Sequence, residues 1–204
     1  MQNRTFNFPC RAVVVLTAIL LMGQAQAHAG TGLRGGFALG FVHPFDGFDH
    51  LLAMICVGLW GAFLGRPLVY VLPVAFPIMM VVGALFGMFG IELPVPPVEQ
   101  GIATSVIVLG GCIALAWRAP LWVACAIVAV FALFHGYAHG VMLPAAADPV
   151  GYSLGFVFAT GLLHVAGIAL GLLNHWPKGV ITTRAIGASV GVAGLWLLYA
   201  TSGI

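Results

Sequence analysis

Charged side chains are scarce in this sequence of 204 residues. Lys, Arg, Asp and Glu together make up 6% of the chain, whereas 62% of it is hydrophobic. An ordinary soluble domain carries about a quarter charged residues, so the composition excludes a soluble enzyme. A net charge of +2 offers no basic surface to a nucleic acid. The composition therefore predicts a protein whose partner is the lipid bilayer, with no nucleic-acid partner.

Long polar stretches are lacking as well. Six apolar segments follow one another, each of about the 20 residues that a membrane-spanning helix needs. They cover residues 37–65, 67–91, 98–117, 121–143, 152–174 and 180–201. A transmembrane β-barrel would show an alternation of period two, which these blocks do not have. We therefore predict an all-α, polytopic membrane protein with six transmembrane helices and no extramembrane domain.

The first 27 residues resemble a secretory signal peptide. Arg4 and Arg11 form a basic region, residues 12–22 form an apolar run too short to span a membrane, and Ala-Gln-Ala at 25–27 is typical of a cleavage site. The predicted division is thus a cleavable signal peptide at 1–27 and a six-helix transmembrane domain at 28–204. Cleavage after residue 27 would leave His28 at the mature N-terminus, whereas cleavage two residues later would remove it.

The distribution of charge between the spans predicts their direction. A cleaved signal puts the mature N-terminus outside, so the breaks after the first, third and fifth spans face the cytoplasm. Those breaks and their flanks carry Arg66, Arg118, Lys178 and Arg184. The other breaks carry Glu92, Glu99 and Asp148 but no Lys or Arg, in agreement with the positive-inside rule. We therefore predict a bacterial inner-membrane protein with both mature termini in the periplasm.

Ionisable residues inside spans are costly and mark function by default, and here they are concentrated. The first span contains His43, Asp46, Asp49 and His50, the fourth contains His135 and His139, and the fifth contains His164. If the first span is one continuous helix, its two histidines fall within about 20° of each other. His135 and His139 share a face because they are four residues apart.

These side chains predict a metal site. Neutral imidazoles with a few carboxylates suit borderline divalent ions such as Ni²⁺, Co²⁺, Zn²⁺ or Cu²⁺. The predicted ligands are His43, Asp46, Asp49, His50, His135, His139 and His164, with His28 as an outer ligand. The alternative for His164 is a hydrogen bond to a neighbouring helix. Cys10 lies in the predicted signal peptide, and the other three cysteines lack C-x-x-C spacing and are interpreted as small buried apolar residues.

Two of these motifs resemble the signatures of a known family. The run HPFDGFDHLLAM at residues 43–54 is similar to the first-helix motif of the HupE/UreJ nickel and cobalt permeases, and FHGYAHG at 134–140 is similar to their fourth-helix motif. The resemblance implies a permease for Ni²⁺ or Co²⁺, with functional residues at His43, Asp49, His50, His135 and His139. The family usually carries a glutamate where this chain has Met142, a departure that favours a more thiophilic ion such as copper.

The sequence thus predicts secondary transport of Ni²⁺ or Co²⁺ from periplasm to cytoplasm, with the bound ion as cargo and no prosthetic group. No Walker motif, histidine-box repeat or Gly-x-Ser-Gly turn is present, so neither an ATP-driven pump nor an enzyme is predicted. The alternative is an accessory protein that stores or senses metal, copper included, without transporting it. Assembly into a homo-oligomer is left open.

Overall fold

The computed structural model describes residues 33–93, 97–141, 143 and 148–202. Within these ranges the chain forms seven α-helices and one 3₁₀ turn. The helices are α1 (Leu33–Asp46), α2 (Phe48–Leu64), α3 (Leu68–Met88), α4 (Val98–Ala114), α5 (Leu121–Val141), α6 (Pro149–Gly171) and α7 (Pro177–Thr201), and the 3₁₀ turn Leu172–His175 follows α6. The predicted signal peptide at 1–27, His28 and Met142 lie outside the described residues.

Four of the helical segments are long and apolar enough to cross a membrane by themselves. They are α3, α5, α6 with its 3₁₀ turn, and α7. The pair α1 and α2 would make a fifth span if its two parts cross together, whereas α4, with 17 residues, is shorter than the usual span. The described structure therefore shows a helical multi-pass membrane protein with four or five such spans, and the count of six stays a prediction.

The predicted continuous helix over 37–65 is wrong. Helices α1 and α2 meet at 85° on either side of Gly47, whose backbone is extended. Pro44, near the end of α1, has no N–H with which to continue the helical ladder, and glycine has a low helix propensity. The Asp49 carboxylate then accepts the backbone N–H of His50 at 2.7 Å, which stabilises the new helix start.

Glycines allow α3 and α5 to pack with their backbones in contact. A Cβ at Gly83 would overlap the carbonyl of Leu133, and a Cβ at Gly136 would overlap the carbonyl of Met80. Small residues at such a crossing let two helices approach closely without a hydrophobic driving force between them. This contact fixes the position of the part of α5 that carries His135 and His139.

Helix α6 packs in the same way on both parts of the broken helix. Gly40 of α1 lies against the backbone of Tyr152, and Gly58 of α2 lies against the carbonyl of His164. Helix α4 packs along α7, where Gly110 meets the backbone of Gly187. The broken helix is thus held beside α6 while its break lies close to α5.

The basic side chains near one end of the bundle contact the ends of several helices. The Arg118 guanidinium lies 5.5 Å from the centre of the Phe63 ring at the end of α2. Arg184 of α7 donates from Nε to the carbonyl of Ala114 at 2.8 Å. The breaks predicted to face the cytoplasm therefore meet at one end of the molecule.

Candidate metal site

The break at Gly47 determines where the first motif places its histidines. His43 lies in the last turn of α1, and His50 lies in the first turn of α2. A helix interrupted within a membrane exposes backbone carbonyls at the end of its first half, and such discontinuous helices form ion sites in transporters. The break puts His50 at the start of a helix, whereas a continuous first span would place it near the middle of a helix.

Four imidazoles lie in contact around this break. The His50 ring centre is 4.6 Å from that of His135 and 4.6 Å from that of His139, and His43 is 4.8 Å from His139. We call these four side chains, His43, His50, His135 and His139, the histidine cluster. The structure thus brings together the histidines of both motifs, although the helical geometry assumed for the first motif does not exist.

Asp49 orients one ring of the cluster. Its Oδ1 lies 2.7 Å from Nδ1 of His50, and an ionised carboxylate can only accept a hydrogen bond. Nδ1 of His50 must therefore carry the proton, which leaves a lone pair on Nε2. This carboxylate–histidine arrangement is the one that holds metal-binding imidazoles in other proteins. In this structure Asp49 contacts His50 through Oδ1, and the ligand roles of both residues stay predictions.

Several buried ring nitrogens make no hydrogen bond to the described part of the chain. In the cluster they are Nε2 of His50, Nδ1 of His135 and Nε2 of His139. A buried polar atom without a partner is costly, and imidazole nitrogens are common ligands for Ni²⁺, Cu²⁺ and Zn²⁺. The cluster therefore has the donor chemistry of a site for a divalent transition metal.

The donor atoms are not arranged around one point. Among the residues that the structure describes, no group of three or more His, Cys, Asp or Glu side chains is placed to hold a metal ion. A metal–nitrogen distance near 2.0–2.1 Å would require the imidazoles to rotate about their side-chain bonds. The three described cysteines, Cys56, Cys112 and Cys125, are free thiols away from the cluster, the first two of them buried.

A small cavity reaches the cluster from the side. It has a volume of about 50 Å³, lies between α3, α5 and α6, and is lined in part by His139, Tyr152 and Phe156. The Phe156 ring lies 4.3 Å from the His139 ring. This space offers room for a few water-sized groups beside the cluster.

His164 is buried but does not belong to the cluster. Its ring lies 5.5 Å from the Phe76 ring, and Phe76 in turn lies 5.7 Å from His135, so an aromatic side chain separates it from the other imidazoles. His164 is therefore not in direct contact with the cluster, and its role as a ligand stays a prediction. Because Pro77 has no N–H, the Pro73 carbonyl lacks its usual donor within the helix. His164 lies near the Pro73 backbone but does not form a hydrogen bond with it.

Asp46 is the remaining predicted ligand among the described residues and lies at the edge of the site, whereas His175, which is not a predicted ligand, lies away from it. Asp46 is exposed at the end of α1, near His43 and Tyr152. His175 is exposed at the other end of α6, where its Nδ1 donates to the carbonyl of Leu172 at 2.9 Å. The ligand role of each predicted residue stays a prediction.

Sequence reasoning missed the neighbours of the cluster on other helices. Ser105 of α4 places its Oγ 2.9 Å from Nε2 of His135, and the rings of Phe76 and Phe156 pack on the histidines. A serine in an apolar span is a weak signal by itself, because its hydroxyl can bond to its own helix. Its position opposite a histidine follows only from the packing of α4 on α5.

A bundle of apolar helices with four imidazoles in contact between them defines a multi-pass membrane protein with a histidine cluster. The profile of the family described as "HupE / UreJ protein" matches residues 16–197. The chain is 42% identical over 188 residues to Protein HupE of Rhizobium leguminosarum bv. viciae, which covers 92% of this chain and 97% of that protein. The chain therefore belongs to the HupE/UreJ family, and the resemblance of its motifs is confirmed. No solved structure matches it.

Proposed function

We propose that this protein is a secondary transporter that carries a divalent transition metal ion, Ni²⁺ or Co²⁺, from the periplasm to the cytoplasm. The observation that carries the proposal is the contact of the His50 ring with both His135 and His139, at 4.6 Å in each case. Membership of the HupE/UreJ family supports the choice of nickel or cobalt. The sequence has no Walker motif, so the proposed transport does not use ATP hydrolysis by this chain.

The outer and inner histidines have different roles in the proposed transport. His43 is half-buried at the end of α1 and receives the ion, with the exposed Asp46 beside it. The rings of His50, His135 and His139 then bind the ion through nitrogens that have no hydrogen-bond partner among the described residues. Asp49 holds His50 in orientation and supplies negative charge, which offsets part of the charge of a divalent cation away from water.

The break at Gly47 supports ion passage rather than a purely structural role. The C-terminal end of α1 carries the negative end of the helix dipole and unpaired carbonyls, both favourable to a cation. These groups lie beside His43 and within one turn of His50 along the chain. In a continuous helix, the same carbonyls would accept hydrogen bonds within the helix and would not be available to a cation.

The orientation follows from the basic residues. Arg118 and Arg184 contact the ends of α2 and α4 at one end of the bundle, and the positive-inside rule puts such an end in the cytoplasm. The histidine cluster then lies nearer the periplasmic side, which fits import. Both mature termini are proposed to lie in the periplasm.

The test is metal uptake by purified protein in proteoliposomes, with Ni²⁺, Co²⁺ and Cu²⁺ measured separately. We expect Ni²⁺ or Co²⁺ to accumulate, and His50→Ala and His139→Ala to abolish uptake at equal amounts of protein in the membrane. His175→Ala is the matched control, because His175 is exposed and far from the cluster. It should retain uptake when metal is in excess.

Binding is measured on the same preparations by equilibrium dialysis. Metal binding without uptake would overturn the proposed transport and favour the alternative function, an accessory protein that stores or senses metal. Uptake by His50→Ala and His139→Ala at the wild-type rate would show that the cluster is structural.

A further inference from the structure

Ser105 and His135 form a buried contact between α4 and α5 that the proposed function does not use. Both side chains are 0% exposed. The Ser105 hydroxyl lies 2.6 Å from the carbonyl oxygen of Ile102, one turn earlier in its own helix, and 2.9 Å from Nε2 of His135. The hydroxyl therefore has two close neighbours but only one proton to donate.

The proton can be assigned from the chemistry of the two neighbours. A carbonyl oxygen cannot donate, so two oxygens 2.6 Å apart require the hydroxyl proton between them. Ser105 thus donates to Ile102 and can only accept from His135. The hydrogen on the imidazole must then lie on Nε2, since an accepting oxygen needs a donor opposite it.

We infer that Ser105 is a positioning residue that holds His135 in the Nε2–H tautomer and so presents the Nδ1 lone pair for metal. Nδ1 of His135 is buried and has no hydrogen-bond partner within the described residues, and the ring lies edge-on to His50 at 4.6 Å. The nitrogen that ligates a metal is set by the hydrogen bond that the other nitrogen makes. This inference rests on the proposed function for its metal, but the tautomer itself does not depend on metal.

The two orienting contacts differ in a way that experiment can separate. Asp49 fixes the proton of His50 on Nδ1 and leaves Nε2 free, whereas Ser105 fixes the proton of His135 on Nε2 and leaves Nδ1 free. The cluster would therefore offer a metal ion Nε2 of His50 and Nδ1 of His135, from two rings in contact. Loss of the Ser105 oxygen would allow the His135 ring to exchange its proton between both positions.

The first experiment is ¹⁵N NMR of metal-free, histidine-labelled protein in lipid, with His135→Asn used to assign the His135 signals. We expect the wild type to show His135 with its proton on Nε2. Ser105→Ala should show a mixture of both tautomers, and Ser105→Thr, which keeps a hydroxyl, should restore the wild-type form. A wild-type His135 with its proton on Nδ1 would overturn the inference.

The second experiment compares Ni²⁺ uptake kinetics of Ser105→Ala with those of Thr104→Ala. Thr104 is the matched control, because it precedes Ser105 in α4 and its hydroxyl donates to the carbonyl of Gln100 in its own helix. We expect Ser105→Ala to raise the KM for Ni²⁺ at least about tenfold with a smaller effect on the maximal rate, and Thr104→Ala to match the wild type.

The outcomes distinguish the two proposals. Equal KM values and equal tautomers in Ser105→Ala and Thr104→Ala would overturn the role of Ser105 even if the wild type transports nickel. A wild type that neither binds nor transports metal but shows the Nε2–H tautomer of His135, lost in Ser105→Ala, would overturn the proposed function and support the role of Ser105 in orienting the ring.

Discussion

His43 at the end of α1 and His139 in the last turn of α5 hold their rings 4.8 Å apart and at 73° to each other. His139 also touches His50, so it links the outer histidine to the inner ones. His43 is half-buried, whereas His139 is 6% exposed. The pair therefore joins the surface of the bundle to its interior.

This arrangement predicts different effects for the outer and inner histidines. His43→Ala should raise the metal concentration for half-maximal uptake and leave the maximal rate nearly unchanged, because His43 contacts just one of the other three rings of the cluster, that of His139. His50→Ala should abolish uptake at all concentrations, because His50 touches two other imidazoles. Uptake against metal concentration, normalised to membrane protein, measures both effects. Equal loss in the two variants would contradict the division of roles.

The two aspartates of the first motif allow the same substitution to be compared at a contact with the cluster and at an exposed position. Asp49→Asn removes the charge that orients His50 and should weaken metal binding by about 10- to 100-fold, the usual effect of losing a partner of a metal-binding histidine. Asp46→Asn has the same change of charge at an exposed position and should weaken binding by less than Asp49→Asn. Isothermal titration with Ni²⁺ compares them. A larger loss in Asp46→Asn would make Asp46 a ligand and Asp49 a structural residue.

The sequence predicts the helical class, and it singles out the four histidines that the structure brings together, but it does not predict how they meet. His135 and His139 lie together because four residues separate them on one helix, which is local information. His43 and His50 reach the same place across a break at Gly47, and a rule of 100° per residue does not apply across it. Proline is tolerated in the first turn of a helix, so Pro44 by itself is compatible with a continuous span, whereas the structure ends the helix two residues later.

Contacts between helices account for the other differences between the predicted and the observed site. Phe76 lies between His135 and His164, and Ser105 faces His135, because of how α3 and α4 pack on α5. Such contacts depend on the rotation of each helix about its axis. Glycine spacing indicates that helices pack closely, but it does not identify the partner helix.

Glycine substitutions test the packing that holds α5 in place. Gly83→Ala would put a Cβ onto the carbonyl of Leu133 and should lower the free energy of unfolding by about 1–3 kcal/mol, as overpacking does in cores. Gly161→Ala in α6 is the control, because a Cβ there meets nothing within 4 Å. It should be neutral or stabilising by about 0.4–1 kcal/mol. The measurement is the thermal unfolding midpoint in detergent.

The same two variants also test whether packing supports the site. Displacement of α5 would move His135 and His139 together, so Gly83→Ala should also raise the KM for metal uptake, whereas Gly161→Ala should not. Equal stability of the two variants would mean that α3 and α5 are farther apart in the membrane than described.

The direction of the chain in the membrane is tested with reporter fusions at Ile204. With Arg66, Arg118, Lys178 and Arg184 on the cytoplasmic side, a chain that crosses six times after a cleaved signal ends in the periplasm. Alkaline phosphatase at the C-terminus should then be active, and a reporter that fluoresces only in the cytoplasm should be dark. Fusions after Arg118 provide the opposite control, because that position should face the cytoplasm. An inactive phosphatase together with a fluorescent reporter at Ile204 would mean that the chain crosses the membrane an odd number of times. The first segment to remove from the count would then be α4, which is the shortest candidate span at 17 residues.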